Sequence, residues 1–152
     1  MLSGYFDTFH TPSIKIVDLE RLFKIKVDEN IFVTGKIDRV DYKDGNEVEI
    51  IDYKTGKKPS DADLKKSLQL SIYALAATDK GLYRKDLAQV TLSFYYLQGM
   101  EKVSMKRSPE EIAVMTSKLT EAVESINKGV FMPKVGPWCN FCSFRMICEA
   151  WQ

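Results

Sequence analysis

The sequence predicts an α/β fold, a sandwich of helices on a mixed β-sheet, and three observations predict it. Three strand-like segments precede the first helical pattern, two more lie between the two helical patterns, and one strand near the middle is apolar on both faces. The order β-β-β-α-β-β-α, followed by a cysteine-bearing tail, fits neither a Rossmann alternation nor a helical bundle.

Residues 14–28 partly alternate, with Phe23, Ile25 and Val27 on one side and lysines on the other, which predicts a strand. A turn at Asp28-Glu29-Asn30 leads into a second strand, 31–42, and Lys43-Asp44-Gly45-Asn46 is a hairpin turn. The third strand, 47–54, carries Ile50-Ile51, an apolar pair expected of a central strand covered from both sides. Thr55-Gly56-Lys57-Lys58-Pro59 breaks the pattern. Ser60 then caps a helix predicted to run to about Lys80, with Gly81 at its C-terminal end and Leu64, Leu68, Ile72 and Leu75 as its apolar stripe. Strands follow at 89–97 and 101–106, around Gln98-Gly99. Ser108-Pro109-Glu110-Glu111 reads as a capping box with proline at the first helical position, opening a helix that ends near Lys128-Gly129. The sequence thus reads as one domain over residues 1–152, with a core of about 14–128 and an irregular tail over 129–152.

The 152 residues suit one domain, and 45% hydrophobic with 11% aromatic residues exclude a disordered or low-complexity class. No run reaches the ~18 apolar residues of a membrane span, and the N-terminus lacks the pattern of a secretory signal. Lys and Arg total 22 against 21 Asp and Glu, a net charge of +1, which disfavours a general polyanion binder but leaves room for a local basic cluster. Three cysteines, an odd number crowded at the C-terminus, argue against a disulfide framework and for a reduced, cytoplasmic setting.

The chemistry concentrates in Gly35-Lys36-Ile37-Asp38-Arg39-Val40-Asp41 and Ile50-Ile51-Asp52-Tyr53-Lys54-Thr55-Gly56. Asp52 and Lys54, two apart on a strand, project from one face. Burying that pair at the end of an apolar strand is costly, and a divalent cation shared with a second carboxylate offsets the cost. Asp38 is the candidate, and hairpin register decides whether it qualifies. A two-residue loop pairs Lys43 with Asn46 and sets Asp38 opposite Ile51, on the wrong face; a three-residue loop pairs Lys43 with Glu47 and sets Asp38 across from Asp52. Paired carboxylates suit Mg²⁺ or Mn²⁺, which activate water and neutralise charge on a phosphate, and Lys54 beside them can orient or deprotonate that water. The alternative is a strand-edge salt bridge of Lys54 with Asp38 or Asp52. Gln69 and Tyr73, four apart, stack on one flank of the helix and either support the site or, respectively, face solvent and pack.

Together GKIDRVD, IIDYKTG, the Gln69-x-x-x-Tyr73 pair and the terminal C-x₂-C-x₅-C resemble the PD-(D/E)XK nuclease superfamily, over roughly residues 31 to 148. The resemblance is to its RecB-like branch, which includes helicase-linked nuclease domains and CRISPR-associated exonucleases. It implies a restriction-endonuclease-like sheet and metal-dependent hydrolysis of single-stranded or unwound DNA, in DNA repair or a related pathway. It also implies a helicase or CRISPR-associated partner. By this resemblance Asp38, Asp52 and the Tyr53 carbonyl hold Mg²⁺ or Mn²⁺, Lys54 is catalytic, and Gln69 and Tyr73 support the site or contact DNA.

In that branch three C-terminal cysteines join one upstream cysteine around a [4Fe–4S] cluster. Here Cys139, Cys142 and Cys148 have the ligand-like spacing, with Trp138, Phe141 and Phe144 at hand to shield a site, but a fourth cysteine is absent. Three readings stand: an upstream segment supplies the ligand, Zn²⁺ binds with a substitute ligand such as His10, or the tail carries no metal. About thirteen residues precede the first strand, too few for the branch's upstream helical layer, so the chain reads as a fragment or a minimal version of a longer nuclease. Glu20 is a further candidate site carboxylate or part of a solvated face. Lys57, Lys58, Lys65 and Lys66 are candidates for DNA contacts or simple solvation, and Phe94, Tyr95 and Tyr96 for core packing or base stacking. The competing functions are a non-catalytic DNA-binding or metal-stabilised scaffold module of a larger helicase-nuclease, and a zinc-binding interaction domain.

Overall fold

In the computed structural model, which describes residues 1–151, five strands form one sheet. Their order is that of the sequence: β1 (Lys15–Asp28), β2 (Ile31–Lys43), β3 (Glu47–Lys54), β4 (Val90–Tyr96) and β5 (Glu101–Met105). Neighbouring pairs are antiparallel except β3 and β4, which run parallel and are joined by a crossover carrying α2 (Asp61–Lys65) and α3 (Leu68–Thr78). A helix α1 (Leu2–Phe9) precedes the sheet and α4 (Pro109–Asn127) follows it. The chain divides into two compact units, Met1–Lys118 and Leu119–Gln152. None of the described helices is long and apolar enough to cross a membrane.

The central position of β3 follows from its composition. Ile50 and Ile51 are both fully buried, one on each face, as the absence of alternation requires. The hairpin into β3 has the longer of the two possible loops: Asp44–Asn46 form the turn, and Lys43 pairs with Glu47. Gly45 and Asn46 both take positive φ, 72° and 65°, which these two residue types tolerate best.

The crossover departs from the single helix expected over 60–80. Ser60 caps α2 by accepting from the Asp63 N–H, but the helix stops at Lys65, and Ser67 opens α3 by accepting from the Leu70 N–H. A serine hydroxyl competes with the helical ladder, so Ser67 serves as a second cap rather than a mid-helix residue. The break shifts the helical phase. Leu70, Tyr73, Ala74, Ala76 and Ala77 form the buried face of α3, whereas Leu68, expected in the apolar stripe, is exposed. The helix also ends earlier than expected. Asp79 is its C-cap, and Gly81 donates instead to the Asp79 carboxylate. By contrast the Ser108 capping box forms in both directions with Glu111, and Gly129 takes positive φ just after α4.

One close approach fixes β1 on β2. Phe23, buried, lies across from Gly35 and packs edge-on to Tyr73. A Cβ at Gly35 would sit 2.6 Å from the ring carbon Cζ of Phe23, so only glycine leaves room for the tip of that ring. Gly35→Ala should cost about 1–3 kcal/mol through overpacking, measured by urea unfolding, with part of the loss recovered by adding Phe23→Leu.

The second unit, after the last turns of α4, is a series of single 3₁₀ turns at Pro137–Phe141, Arg145–Ile147 and Glu149–Trp151. Cys139, Cys142 and Cys148 are free thiols lining one small cavity of about 30 Å³ with Arg145 and Trp151, whose guanidinium and ring stack. Trp138, Phe141 and Phe144 are exposed and do not shield it, contrary to expectation.

Candidate active site

The β2–β3 ladder runs from Lys43↔Glu47 to Arg39↔Ile51, so the next rung sets Asp38 across from Asp52. At that rung the ladder gives way to a side-chain contact: the Tyr53 N–H donates to Asp38 Oδ2 at 3.0 Å. Successive residues of a strand aim their N–H and C=O to opposite sides. The Lys54 carbonyl accepts from Leu97, beyond the end of β4, so the Tyr53 carbonyl points the other way, toward Asp38.

Asp52 is buried at the C-terminal end of β3. Its Oδ1 accepts from Gln69 Nε2 at 2.7 Å and from the Tyr73 hydroxyl at 3.0 Å. Gln69 spends its second amide proton on the Tyr73 oxygen, 2.9 Å away, and its carbonyl accepts from Lys54 Nζ at 2.8 Å. The Lys36 carbonyl lies 3.1 Å from the same phenol and competes for its proton. Burial, then the charges of Asp52 and Asp38, push the Tyr73 phenol up, so it remains a neutral donor. The register that sets Asp38 across from Asp52 puts the two carboxylates on the same side of the sheet.

The other oxygen, Asp52 Oδ2, lies 2.7 Å from Lys54 Nζ as an ion pair, at an angle that leaves it without a hydrogen bond. A buried carboxylate oxygen with an unfilled lone pair, across the ladder from a second carboxylate and near a backbone carbonyl, is a hard-oxygen donor set that fits a divalent cation. Phe94 floors the site, with Lys54 Nζ 4.9 Å from its ring centroid. Beside Lys54 and Gln69 opens a cleft of about 370 Å³, lined also by Lys57, Phe94 and Tyr96.

The opposite face of β3 carries a second polar cluster that the sequence did not single out. Arg39 donates to both oxygens of Asp41, at 2.6 and 2.8 Å, and both residues are buried. The same guanidinium reaches the hydroxyls of Tyr53 (3.3 Å) and of Tyr5 on α1 (3.1 Å), which are 2.9 Å apart. Burial and the Tyr5 contact push the Tyr53 phenol up, against the pull of Arg39. Tyr53 is therefore gripped by its side chain on one face while its N–H fixes Asp38. The available signal was Tyr5 and Phe9, four apart, which both pack on Tyr95. The fully buried Glu49 completes this face. Burial would raise its carboxyl, but Lys102, Lys43 and the Ser93 hydroxyl hold it below the ordinary range.

Asp38, Asp52, Tyr53, Lys54, Gln69 and Tyr73 thus converge, and other candidates do not. Glu20, at a positive φ on β1, pairs with Lys36. Lys58 pairs with Asp61 and Glu101, while Lys57 faces the cleft. Lys65 and Lys66 are exposed at the end of α2. Phe94 and Tyr96 line the cleft, but Tyr95 packs against Tyr5, Tyr53 and Phe9. His10 caps α1 and stacks on Phe6. The N-terminal segment, expected to be too short for a helical layer, does form one short helix, α1. Among the described residues no group of three or more His, Cys, Asp and Glu side chains is arranged to hold a metal ion. The three thiols, with no fourth in the sequence, do not fit a four-thiolate cluster, and the iron–sulfur expectation has no support in this chain.

A family model described as the PD-(D/E)XK nuclease superfamily matches residues 1–149. The solved structure titled "Crystal structure of SSO0001" shares the fold, with a TM-score of 0.52 and 18% sequence identity over 89% of this chain. The present chain spans 61% of that chain's length. No curated protein sequence matches.

Proposed function

Because the chain belongs to the PD-(D/E)XK nuclease superfamily, whose members are metal-dependent phosphodiesterases, we propose that it hydrolyses phosphodiester bonds of single-stranded or unwound DNA at the Asp38–Asp52–Lys54 site. The observation that carries this reading is the hydrogen-bond-free Oδ2 of buried Asp52 beside Lys54. Asp38, Asp52 and the Tyr53 carbonyl are the residues that hold Mg²⁺ or Mn²⁺. A divalent cation there supplies an activated water and neutralises charge on the phosphate.

The chain's own residues supply the rest. Lys54 Nζ, held by Gln69 Oε1 and Asp52, presents a fixed positive charge to the scissile phosphate and orients the attacking water. Gln69 is a positioning residue: its amide ties Asp52, Lys54 and Tyr73 into one unit. Tyr73, kept neutral, donates to Asp52 and anchors α3 over the strand end. The adjacent cleft with Lys57 receives the neighbouring phosphates, and Phe94 and Tyr96 provide its apolar wall. The RecB-like branch, an exonuclease role in DNA repair or recombination, and a helicase or CRISPR-associated partner are the finer parts of this proposal. They rest on the resemblance of these motifs to that branch.

The test is a cleavage assay on labelled single-stranded DNA. Products should form with Mg²⁺ or Mn²⁺ and vanish with a chelator, and Asp52→Asn should remove both the cleavage and any thermal shift produced by Mn²⁺. A chain that binds DNA yet cuts it with no divalent ion would instead be a non-catalytic scaffold module.

A further inference from the structure

A cleft of about 990 Å³ in the first unit is distinct from the one beside Lys54. It opens where the C-terminal end of α3 meets the segment entering β4 and the start of α4, and Lys80, Arg84, Lys85 and Arg107 line it against one acid, Asp86. Lys80 and Arg84 are exposed and no carboxylate lies within ion-pair distance of either, or of Lys85, among the described residues. Lys85 reaches the side-chain oxygen of Asn46 and lies over the Tyr42 ring, and Arg84 donates to the Lys80 carbonyl; none of these partners carries a charge. Asp86 is engaged in capping the turn before β4. A chain with a net charge of +1 thus gathers uncompensated cations in one concavity, where low-dielectric walls concentrate their field.

Arg107 adds a built element. It is 5% exposed, donates to Glu111 and to the Leu64 and Ser67 carbonyls, and its Nε has no partner. A buried guanidinium with one donor unspent is an unfavourable arrangement unless an acceptor arrives. Leu64 and Ser67 also line the cleft beside Lys54, so Arg107 stands between the two clefts and touches the wall of both. Gln69 and Thr78 lie near the two ends of α3, about 14 Å apart at 1.5 Å per residue, a span of a few nucleotides of strand.

We infer that the Lys80–Arg84–Lys85–Arg107 cleft binds the phosphate backbone of a single nucleic-acid strand, several nucleotides from the phosphate being cut. The inference rests on the nuclease reading for the identity of the polyanion. Contacts of this kind position a strand without reading its sequence. They set affinity and salt dependence, and leave the bond-breaking step to the carboxylate site.

The experiment uses the full chain with a chelator present and a fluorescein-labelled single-stranded 20-mer, titrated by anisotropy across a salt series. Replacing Lys80, Arg84 and Lys85 together by Gln should weaken binding about 100-fold at ~0.1 M salt and lower the slope of log K against log salt by about 2 (roughly 0.7 per phosphate). The same three-charge loss on β1, by Lys15→Gln, Lys24→Gln and Lys26→Gln, should leave both nearly unchanged. Hydrolysis of a nucleoside p-nitrophenyl phosphate, too short to reach the cleft, should proceed at the parental rate in both variants. The inference is overturned if the cleft variant binds as tightly as the parent, if the β1 variant loses as much, or if polyglutamate displaces the oligonucleotide as well as unlabelled strand does. If the parent hydrolyses neither substrate yet binds the strand through these residues, the nuclease reading fails and the cleft assignment stands.

Discussion

Lys54→Ala is expected to reduce divalent-ion-dependent DNA cleavage by at least about 10³-fold while the protein stays folded. The side chain is one-third exposed and its removal opens no core cavity. Asp52 keeps the hydrogen bonds of Gln69 and Tyr73 on Oδ1, so the carboxylate stays aimed. The informative second readout is metal binding. With the ammonium gone, Oδ2 faces no competing cation, so Mn²⁺ affinity should hold or rise while cleavage collapses. That split separates a group acting on the phosphate and water from one that only holds the pocket together. Cleavage at the parental rate would remove Lys54 from the chemistry; cleavage and Mn²⁺ affinity lost together would make it a structural member of the pocket.

The second large effect is on stability and sits on the opposite face of the sheet. Arg39→Ala should cost about 3–5 kcal/mol, because it strands the buried Asp41 carboxylate and removes the donor that bridges Tyr5 and Tyr53. For a chain of this size that is a melting shift of roughly 2–4 °C per kcal/mol. Replacing both partners, Arg39→Met with Asp41→Asn, should recover a large part of the loss, since no unpaired charge is then left inside. A loss under about 1 kcal/mol for the single variant would mean that water reaches Asp41 and the pair is not sealed. The double variant also tests coupling across β3. If the grip on Tyr53 matters for Asp38, Mn²⁺ affinity should remain weakened after stability has been restored.

The face that carries Asp52 and Lys54 is easier to read in the sequence than its support on the other side of β3. Asp52, Lys54, Gln69 and Tyr73 announce themselves by spacing: two apart on a strand and four apart on a helix, each interval puts side chains on one face by local geometry alone. Asp38 was conditional on loop length, and the sequence supplied both alternatives without choosing between them. The Arg39–Asp41–Tyr5–Tyr53 cluster joins residues up to 48 positions apart, and no local period marks such a set. The crossover was misread for a related reason. A stripe drawn on one continuous helix put Leu68 inside, and the Ser67 cap restarted the helix with a different phase.

The order of the five strands, the burial of the Ile50-Ile51 strand, the capping of α4 and the identity of the acidic and basic groups at the strand end are determined by the sequence itself, because each depends on neighbours within a turn or two. The three-residue hairpin that sets Asp38 beside Asp52, the face that α3 buries, the network behind Tyr53 and the gathering of Lys80, Arg84, Lys85 and Arg107 into one cleft were decided only by tertiary structure. Each of those requires segments distant in the chain to meet, and what selects the meeting is the packing of the whole sheet and its crossover rather than any local preference.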